Sequence, residues 1–163
     1  MAAVNKADIV DALRCKLEED LASLTESQRE TQAGATHEEA KSEGDKDMRA
    51  TEVSYLARGL AQRVVDLKSD VAKLASLQLR PFDEDSMVAL TALVVLEDEE
   101  GEESLYFLSP VGGGERVEVG GRTIKILTQT SPLGRSVTGR ELDDEIEVAS
   151  PGGKRILTLV AMS

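Results

Sequence analysis

The sequence has little of several residue types, and each scarcity excludes a class of structure. One cysteine, Cys15, excludes an internal disulfide framework and a metal site built from several cysteines. Two tyrosines and two phenylalanines, without tryptophan, leave any core to Leu, Val, Ile and Ala. No stretch approaches the roughly 20 apolar residues that span a bilayer, and the start lacks a secretory pattern. We therefore expect a cytoplasmic protein with no membrane partner.

Positive charge is also scarce. The 31 acidic residues outnumber the 19 Lys and Arg, which gives a net charge of −12. Such a charge repels the phosphate backbone of nucleic acids and anionic lipid surfaces. Direct nucleic-acid binding is disfavoured, unless a protein partner supplies the basic surface or metal ions meet the carboxylates. The lone histidine, His37, has no Ser or Cys partner at a recognisable spacing, which argues against nucleophilic catalysis.

Proline and glycine divide the chain into two halves. Residues 1–80 contain no proline and three glycines, whereas residues 81–163 carry all four prolines and most of the glycines. Helices tolerate neither residue well in their interior, whereas turns between strands use both. The sequence therefore predicts an α+β protein with a helical part over residues 1–80 and a small β-rich domain over residues 81–163.

Apolar residues recur every three or four positions along two stretches of the first half. This spacing predicts two amphipathic helices. Because each stripe is narrow, the helices are expected to pair as an antiparallel coiled-coil hairpin; a helical bundle or a dimeric coiled coil would satisfy the same stripes. The first stripe comprises Ile9, Val10, Leu13, Leu17, Leu21 and Leu24, and the second Val53, Leu56, Leu60, Val64, Leu67, Val71 and Leu74.

The segment between the stripes is acidic and has almost no apolar residue. It places Glu43, Asp45 and Asp47 around Gly44, a residue suited to a turn. We call residues 36–49 the tip segment. Carboxylates close together on a turn are hard oxygen ligands that can share a Mg²⁺ ion whose remaining ligands come from a partner. A solvated, charged turn would account for the same residues.

The second half shows the pattern of six short strands. Gly120-Gly121 is a favourable two-residue hairpin turn. Ser131 or Thr130 is expected to cap a short helix in which Pro132 takes the first position. The predicted strand pairs are 86–96 with 104–108, 117–119 with 123–128, and 145–149 with 155–160.

The segment SPLGRSVTGRELDDEIEVASPGGKRILTLV, residues 131–160, resembles the closing segment of the Gre-type (GreA/GreB) family of bacterial transcription elongation and transcript-cleavage factors. The order of a helical hairpin followed by a β domain agrees with that family. The resemblance implies an FKBP-like fold for residues 81–163 and a monomer that binds the secondary channel of RNA polymerase. It assigns docking to Ser131, Pro132, Leu133, Gly134 and Arg135.

The resemblance also implies a role for the tip segment. In that family the tip acids help to hold the second catalytic Mg²⁺ and a water, and the polymerase cuts the 3′ end of backtracked RNA. Asp45 and Asp47, with Glu43 assisting, would take this role, although the family spaces its tip acids three residues apart and here they are two apart. The protein would then be no enzyme itself, would have no cofactor of its own, and would meet nucleic acid only inside the polymerase complex.

Other functions stay open at this point. Some relatives of this family occupy the channel without stimulating cleavage, and an altered tip is compatible with a regulator or inhibitor of that kind. An FKBP-like chaperone or prolyl isomerase would need an aromatic-lined pocket. A structural coiled-coil adaptor would tolerate the loss of charge from the tip segment.

Overall fold

The protein is described by a computed structural model over residues 3–39 and 46–163. Its two long helices precede a mixed sheet, and this arrangement confirms the predicted α+β class. The elements, in chain order, are α1 (Lys6–Glu39), α2 (Lys46–Ala75), β1 (Leu93–Asp98), β2 (Glu103–Leu108), β3 (Arg116–Val119), β4 (Arg122–Leu127), α3 (Pro132–Val137), β5 (Glu145–Ser150) and β6 (Gly153–Met162).

The first helix starts at a side-chain cap. Asn5 Oδ1 accepts a hydrogen bond from the backbone N–H of Ala7 at 3.0 Å, and the Asn5 carbonyl accepts from the N–H of Ile9 at 3.3 Å. The first bond satisfies a donor that has no partner inside the helix, as asparagine does at an N-cap, and the second is the first backbone bond of the helix. The start of α1 is therefore fixed by its own sequence.

Helix α2 buries a narrow stripe. Its half-buried and buried positions follow the alternating four-and-three spacing of a coiled-coil seam. The prediction of Leu56 in this seam was wrong, since its side chain is 56% exposed and Ala57 takes the inward position. A step of four residues from Val53 leads to Ala57, and the helical period keeps the stripe on one side. The seam comprises Val53, Ala57, Leu60, Val64, Leu67, Val71 and Leu74.

By their contacts, the residues divide into two compact units. One unit comprises Met1–Arg14 together with Lys73–Ser163, and the other comprises Cys15–Ala72. The composition changes near residue 80, but the units divide inside both helices. The reason lies in burial, because Ile9, Leu13 and Leu74 are 0–2% exposed within the sheet-containing unit. The helix ends thus belong to the same compact unit as the sheet.

A cation–π contact and a hydrogen bond of Lys6 connect the start of α1 to the residues that follow α2. The Lys6 ammonium donates a hydrogen bond to the carbonyl oxygen of Arg80, and Lys6 Nζ lies 4.9 Å from the ring centroid of Phe82. Partial burial lowers the pKa of Lys6, because desolvation disfavours the charged form. These contacts lie wholly inside the sheet-containing unit.

The sheet has six strands in the order β3-β4-β2-β1-β6-β5. The three predicted hairpins are confirmed, since β1 pairs with β2, β3 with β4 and β5 with β6, all antiparallel. Two pairings join these hairpins: β2 runs parallel to β4, and β1 lies antiparallel to β6 with an irregularity between Val95 and Leu96. Central positions therefore fall to β1 and β2.

The first predicted strand was too long. The pattern indicated a strand over residues 86–96, but β1 begins only at Leu93. The chain turns before it, at Thr91, which has a φ of 73°, a conformation that β-branched residues rarely adopt. Thr91 is held there because its N–H donates to Leu108 O at 2.9 Å and its Oγ1 accepts from the N–H of Arg80 at 3.0 Å. Local apolar patterning cannot reveal such a turn.

Helix α3 covers one part of the sheet core. Val137 on α3 is fully buried, and it joins apolar side chains from five strands and from the turn before β1. Leu133, also on α3, packs against this cluster from its border. The buried cluster comprises Val88, Ala92, Val94, Leu96, Leu108, Leu127, Val137, Ile146 and Leu159.

Candidate functional site

The tip segment lies partly outside the described residues. Glu43 and Asp45 lie between the two described ranges, and only the backbone of Asp47, in the first turn of α2, is described. The carboxylates of the tip segment are hard oxygen ligands of the kind that Mg²⁺ binds, but they are too few to enclose an ion. The donor set thus fits an ion completed by other ligands. Within residues 3–39 and 46–163, no cluster of three His, Cys, Asp or Glu residues could hold a metal.

The second candidate region, at helix α3, is described in full. Ser131 precedes this helix with extended backbone, at φ −68° and ψ 155°, and Pro132 takes the first helical position. Ser131 Oγ accepts from the N–H of Gly134 at 3.1 Å and donates to the carbonyl oxygen of Thr128 at 2.7 Å. The predicted cap at Ser131 is therefore confirmed, and its hydroxyl also fixes the helix to the end of β4.

Gly134 permits the close approach of α3 to the end of β4. A Cβ at this position would lie 1.8 Å from the carbonyl oxygen of Thr128, a distance that no non-bonded pair of atoms tolerates. The backbone N–H of Gly134 meets the Ser131 hydroxyl, and its carbonyl accepts from Thr138 Oγ1 at 2.6 Å. Gly134 is thus a buried supporting residue whose side chain must be absent.

The far end of α3 is fixed by the segment before β1. The N–H of Gly139 donates to Val88 O at 2.8 Å, and the N–H of Val88 donates to Arg140 O at 2.8 Å. Gly139 has a φ of 81°, which suits glycine just past the end of a helix. Both ends of the six-residue helix therefore bond to the rest of the domain, and its exposed side chains have a defined position.

Only part of the predicted docking set faces solvent. Pro132 and Arg135 are exposed, Ser131 and Leu133 are half-buried, and Gly134 is buried. The exposed surface thus presents a rigid proline ring and a guanidinium group three positions apart on the same short helix. Sequence analysis missed Thr128, whose carbonyl binds the capping serine. No side-chain pattern signals it, because the interaction uses its backbone.

Charged groups at the far ends of the strands are paired. Asp98, the last residue of β1, accepts from the backbone N–H groups of Glu102 and Glu100 at 2.9 and 3.0 Å, and it pairs with Arg155 at 3.1 Å. The N–H of Glu102 is the main reason that the pKa of Asp98 falls below its usual value. Glu147 pairs with Lys154 and raises its pKa. These contacts stabilise turns and a hairpin.

The fold and these two regions define a class: a protein with an acidic segment between two long helices and a capped surface helix on a mixed sheet. None of the helices in the described parts of the chain is long and apolar enough to cross a membrane. No family model matches the chain. Individual relatives, however, show which family it belongs to.

Curated relatives cover most of the chain. It is 32% identical over 124 residues to transcription elongation factor GreB of Pseudomonas aeruginosa, covering 75% of this chain and 70% of that protein. It is 31% identical to GreA of Desulfotalea psychrophila, covering 89% and 87%, and 34% identical to GreA of Mesorhizobium japonicum, covering 72% of each. The chain therefore belongs to the Gre family of transcription elongation factors, as its closing segment predicted.

Solved structures give a weaker likeness. The transcription factor Gfh1 matches with 18% identity, 93% coverage of both chains and a TM-score of 0.41. A prokaryotic elongation factor GreA/GreB from Nitrosomonas europaea matches with 21% identity, 72% coverage of this chain, 95% of its own and a TM-score of 0.38. Scores this low add nothing to the argument, and the family assignment rests on the sequence relatives.

Proposed function

We propose that this protein enters the secondary channel of bacterial RNA polymerase and stimulates cleavage of backtracked RNA. The observation that carries the proposal is the identity of about a third to relatives named transcription elongation factors, extending over 72–89% of the chain. An acidic segment between two long helices supports it, because carboxylates beyond a helical stem have a use where a partner supplies the missing metal ligands.

The tip carboxylates are proposed to act on the polymerase's own chemistry. Asp45 and Asp47, with Glu43 assisting, would supply oxygen ligands to a Mg²⁺ ion shared with the polymerase. The ion would stabilise charge and orient a water for attack on the RNA. The protein would hold no resident cofactor and would stimulate the nuclease activity of its partner. It would contact nucleic acid only inside that complex, as a monomer in the cytoplasm.

The surface of α3 is proposed to dock on the polymerase. Pro132 and Arg135 are its exposed members, and the hydrogen bonds of Ser131 and the close approach at Gly134 hold them in place. A rigid surface loses little conformational entropy on binding. In this proposal Leu133 acts mainly from the core side, where it supports the helix.

A channel regulator that does not stimulate cleavage is the second candidate. The spacing of the tip acids favours it, since Asp45 and Asp47 are two residues apart and Asp47 lies in the first turn of α2. Side chains two positions apart on a helix point in different directions. A turn that brings Asp45 towards Asp47 would restore a shared ligand set.

The deciding experiment is RNA cleavage by purified, backtracked RNA polymerase with and without the protein. We expect wild type to shorten the RNA at its 3′ end and Asp45→Asn/Asp47→Asn to lose most of this stimulation. Asp66→Asn on α2 is the matched control. Asp66 accepts from Gln62 Nε2 at 2.9 Å through Oδ1, an acceptor that asparagine keeps.

Binding measured beside cleavage separates the two candidates. Wild-type protein that binds the polymerase without shortening the RNA would identify a channel regulator. Failure to bind would refute the proposed function altogether. Equal cleavage by wild type and the double variant would refute the role of the tip carboxylates.

The docking surface has its own test. Arg135→Glu reverses the charge of an exposed side chain and should lower the affinity for polymerase while leaving the unfolding midpoint unchanged. Unchanged affinity would remove α3 from the interface.

A further inference from the structure

The position of helix α3 depends on the carbonyl oxygen of Thr128, directly after β4. This oxygen accepts hydrogen bonds from the N–H of Ser131 at 3.1 Å and from Ser131 Oγ at 2.7 Å. A Cβ at Gly134 would lie only 1.8 Å from it. A shift of Thr128 therefore moves the cap of α3 and, with it, the exposed residues Pro132 and Arg135.

The side chain of Thr128 meets Gly113, in the loop between β2 and β3. A Cβ at Gly113 would lie 2.9 Å from Thr128 Cγ2 and 3.1 Å from its Oγ1, whereas non-bonded atoms of this kind pack at about 3.5–4.0 Å. Rotation of the threonine side chain gives no relief. Both branches lie close to the added atom, and only one of the three positions on the threonine Cβ carries a hydrogen.

The backbone of Gly113 does not itself require glycine. Its φ lies outside the positive range that favours this residue, in contrast to Gly112 and Gly114 on either side. Gly113 is also exposed. The close approach to Thr128 is therefore the feature that a side chain at this position would disturb.

The loop is held on both sides of Gly113. Before it, a Cβ at Gly112 would lie 3.0 Å from Cδ1 of Leu13 on α1, and Leu13 is fully buried. After it, the N–H of Gly114 donates to Ile126 O at 3.0 Å. Because its neighbours are fixed, the loop transmits a displacement at Gly113 to Thr128 instead of moving away from it.

We propose that Gly113 is a positioning residue for docking on the polymerase. The missing side chain leaves room for Thr128, and Thr128 sets the position of the exposed residues of α3. This inference rests on the proposed docking surface of α3. Gly113 acts through Thr128, so it requires no contact of its own with the partner.

The test is the affinity of each variant for purified RNA polymerase, at a temperature where circular dichroism shows every variant to be folded. Cys15 is exposed and is the sole cysteine, so it accepts a single fluorophore for anisotropy measurements. Gly113→Ala should weaken binding by about fivefold or more. Gly152→Ala is the matched control, since its φ is not positive and its Cβ would meet nothing within 4 Å; its affinity should stay within about twofold.

Substitution of Thr128 separates an indirect effect from a direct contact. Thr128→Ser leaves one heavy atom on Cβ, which can rotate away from a methyl group at position 113, and it keeps the carbonyl that binds Ser131. Gly113→Ala/Thr128→Ser should therefore bind within about twofold of Thr128→Ser alone. Gly113→Ala/Thr128→Val keeps both branches and should bind about fivefold or more weakly than Thr128→Val alone.

The outcomes distinguish this inference from the function on which it rests. Absence of wild-type binding refutes the proposed function. Wild-type binding that Arg135→Glu leaves unchanged removes the docking surface on which the inference depends. Binding that Arg135→Glu weakens and Gly113→Ala leaves unchanged overturns the positioning role alone. A loss in Gly113→Ala that Thr128→Ser does not restore would assign Gly113 a direct contact with the polymerase, and this result also overturns the inference.

Discussion

Helices α2 and α3 present candidate contact residues in opposite ways. Around α3, the hydroxyl of Ser131 bonds to the end of β4, the chain at Gly139 bonds to the segment before β1, and Gly134 lies against the Thr128 carbonyl. Helix α2 instead exposes large apolar side chains and a mid-helix glycine that closely approaches no described residue. A surface fixed by its own domain can change little without damage to the fold. A surface free of internal contacts can vary with its partner.

The largest expected effect tests helix α3, whose surface is fixed by its own domain. Gly134→Ala should lower the free energy of unfolding by about 3 kcal/mol or more, because the new methyl group would displace the Thr128 carbonyl and strain α3. Urea denaturation followed by circular dichroism measures the change.

Gly152→Ala is its control, since a Cβ at Gly152 meets nothing within 4 Å. We expect a change of about 0.5 kcal/mol or less there. Equal effects at the two glycines would show that the contact at Thr128 relaxes freely, and the contrast between the helices would disappear.

Two neighbouring valines sharpen the comparison inside α2. Val64 is 6% exposed in the seam and Val65 is 59% exposed. Val64→Ala should cost about 1.5 kcal/mol of unfolding free energy, because two buried methyl groups are lost. Val65→Ala should change it by about 0.5 kcal/mol or less, since the side chain is solvated and alanine favours the helix.

Thermal or urea unfolding of both single variants gives the answer. A large cost at both positions would mean that Val65 is also packed in solution. The contrast between the buried and exposed sides of α2 at these two valines would then disappear.

The smallest expected effect is the pH dependence at Asp98. Folding lowers the pKa of this carboxyl from its ordinary value of 3.8, chiefly through the N–H of Glu102. The stabilisation is therefore present above that ordinary value and is lost as the pH falls through the lower folded pKa. Wild type should exceed Asp98→Asn in unfolding midpoint near pH 6, and the difference should shrink below about pH 3.8.

Glu99→Gln changes the exposed acid next to Asp98, in the turn between β1 and β2, and serves as the control. A constant difference between wild type and Asp98→Asn across the acid range would show that the turn geometry, rather than the charge, stabilises this hairpin. The β domain would then gain less from its charged contacts than its hydrogen bonds suggest.

Much of the fold was predictable from short-range patterns. Ser131-Pro132 marked the start of α3, and Gly120-Gly121 marked the turn between β3 and β4, because both signals act within a few residues. The predicted start of the first strand at residue 86 was wrong, because the turn at Thr91 depends on hydrogen bonds with Leu108 and Arg80. Leu56 was placed in the seam because hydrophobicity alone does not distinguish it from Ala57, which has the correct helical phase.

In the candidate sites, too, residue type could be identified from the sequence, whereas exposure and burial could not. The tip acids and the Ser-Pro-Leu-Gly-Arg segment were identified by residue type and family resemblance, and the tip acids stay a prediction because they lie largely outside the described residues. The exposure of Pro132 and Arg135, the burial of Gly134 and the outward position of Tyr55 and Leu56 required coordinates. Exposure depends on what packs against a residue, and that partner is usually distant in sequence.

The sequence by itself determined the α+β class, the hairpin turns, the capped helix and the family, because periodicity, turn chemistry and motif order are local properties of the chain. Only the tertiary structure decided the parallel pairing of β2 with β4, the inclusion of the helix ends in the sheet-containing unit and the requirement for glycine at position 134. Each of these depends on atoms that lie far apart in sequence and meet only when the core closes, where dense packing leaves no room for an additional methyl group.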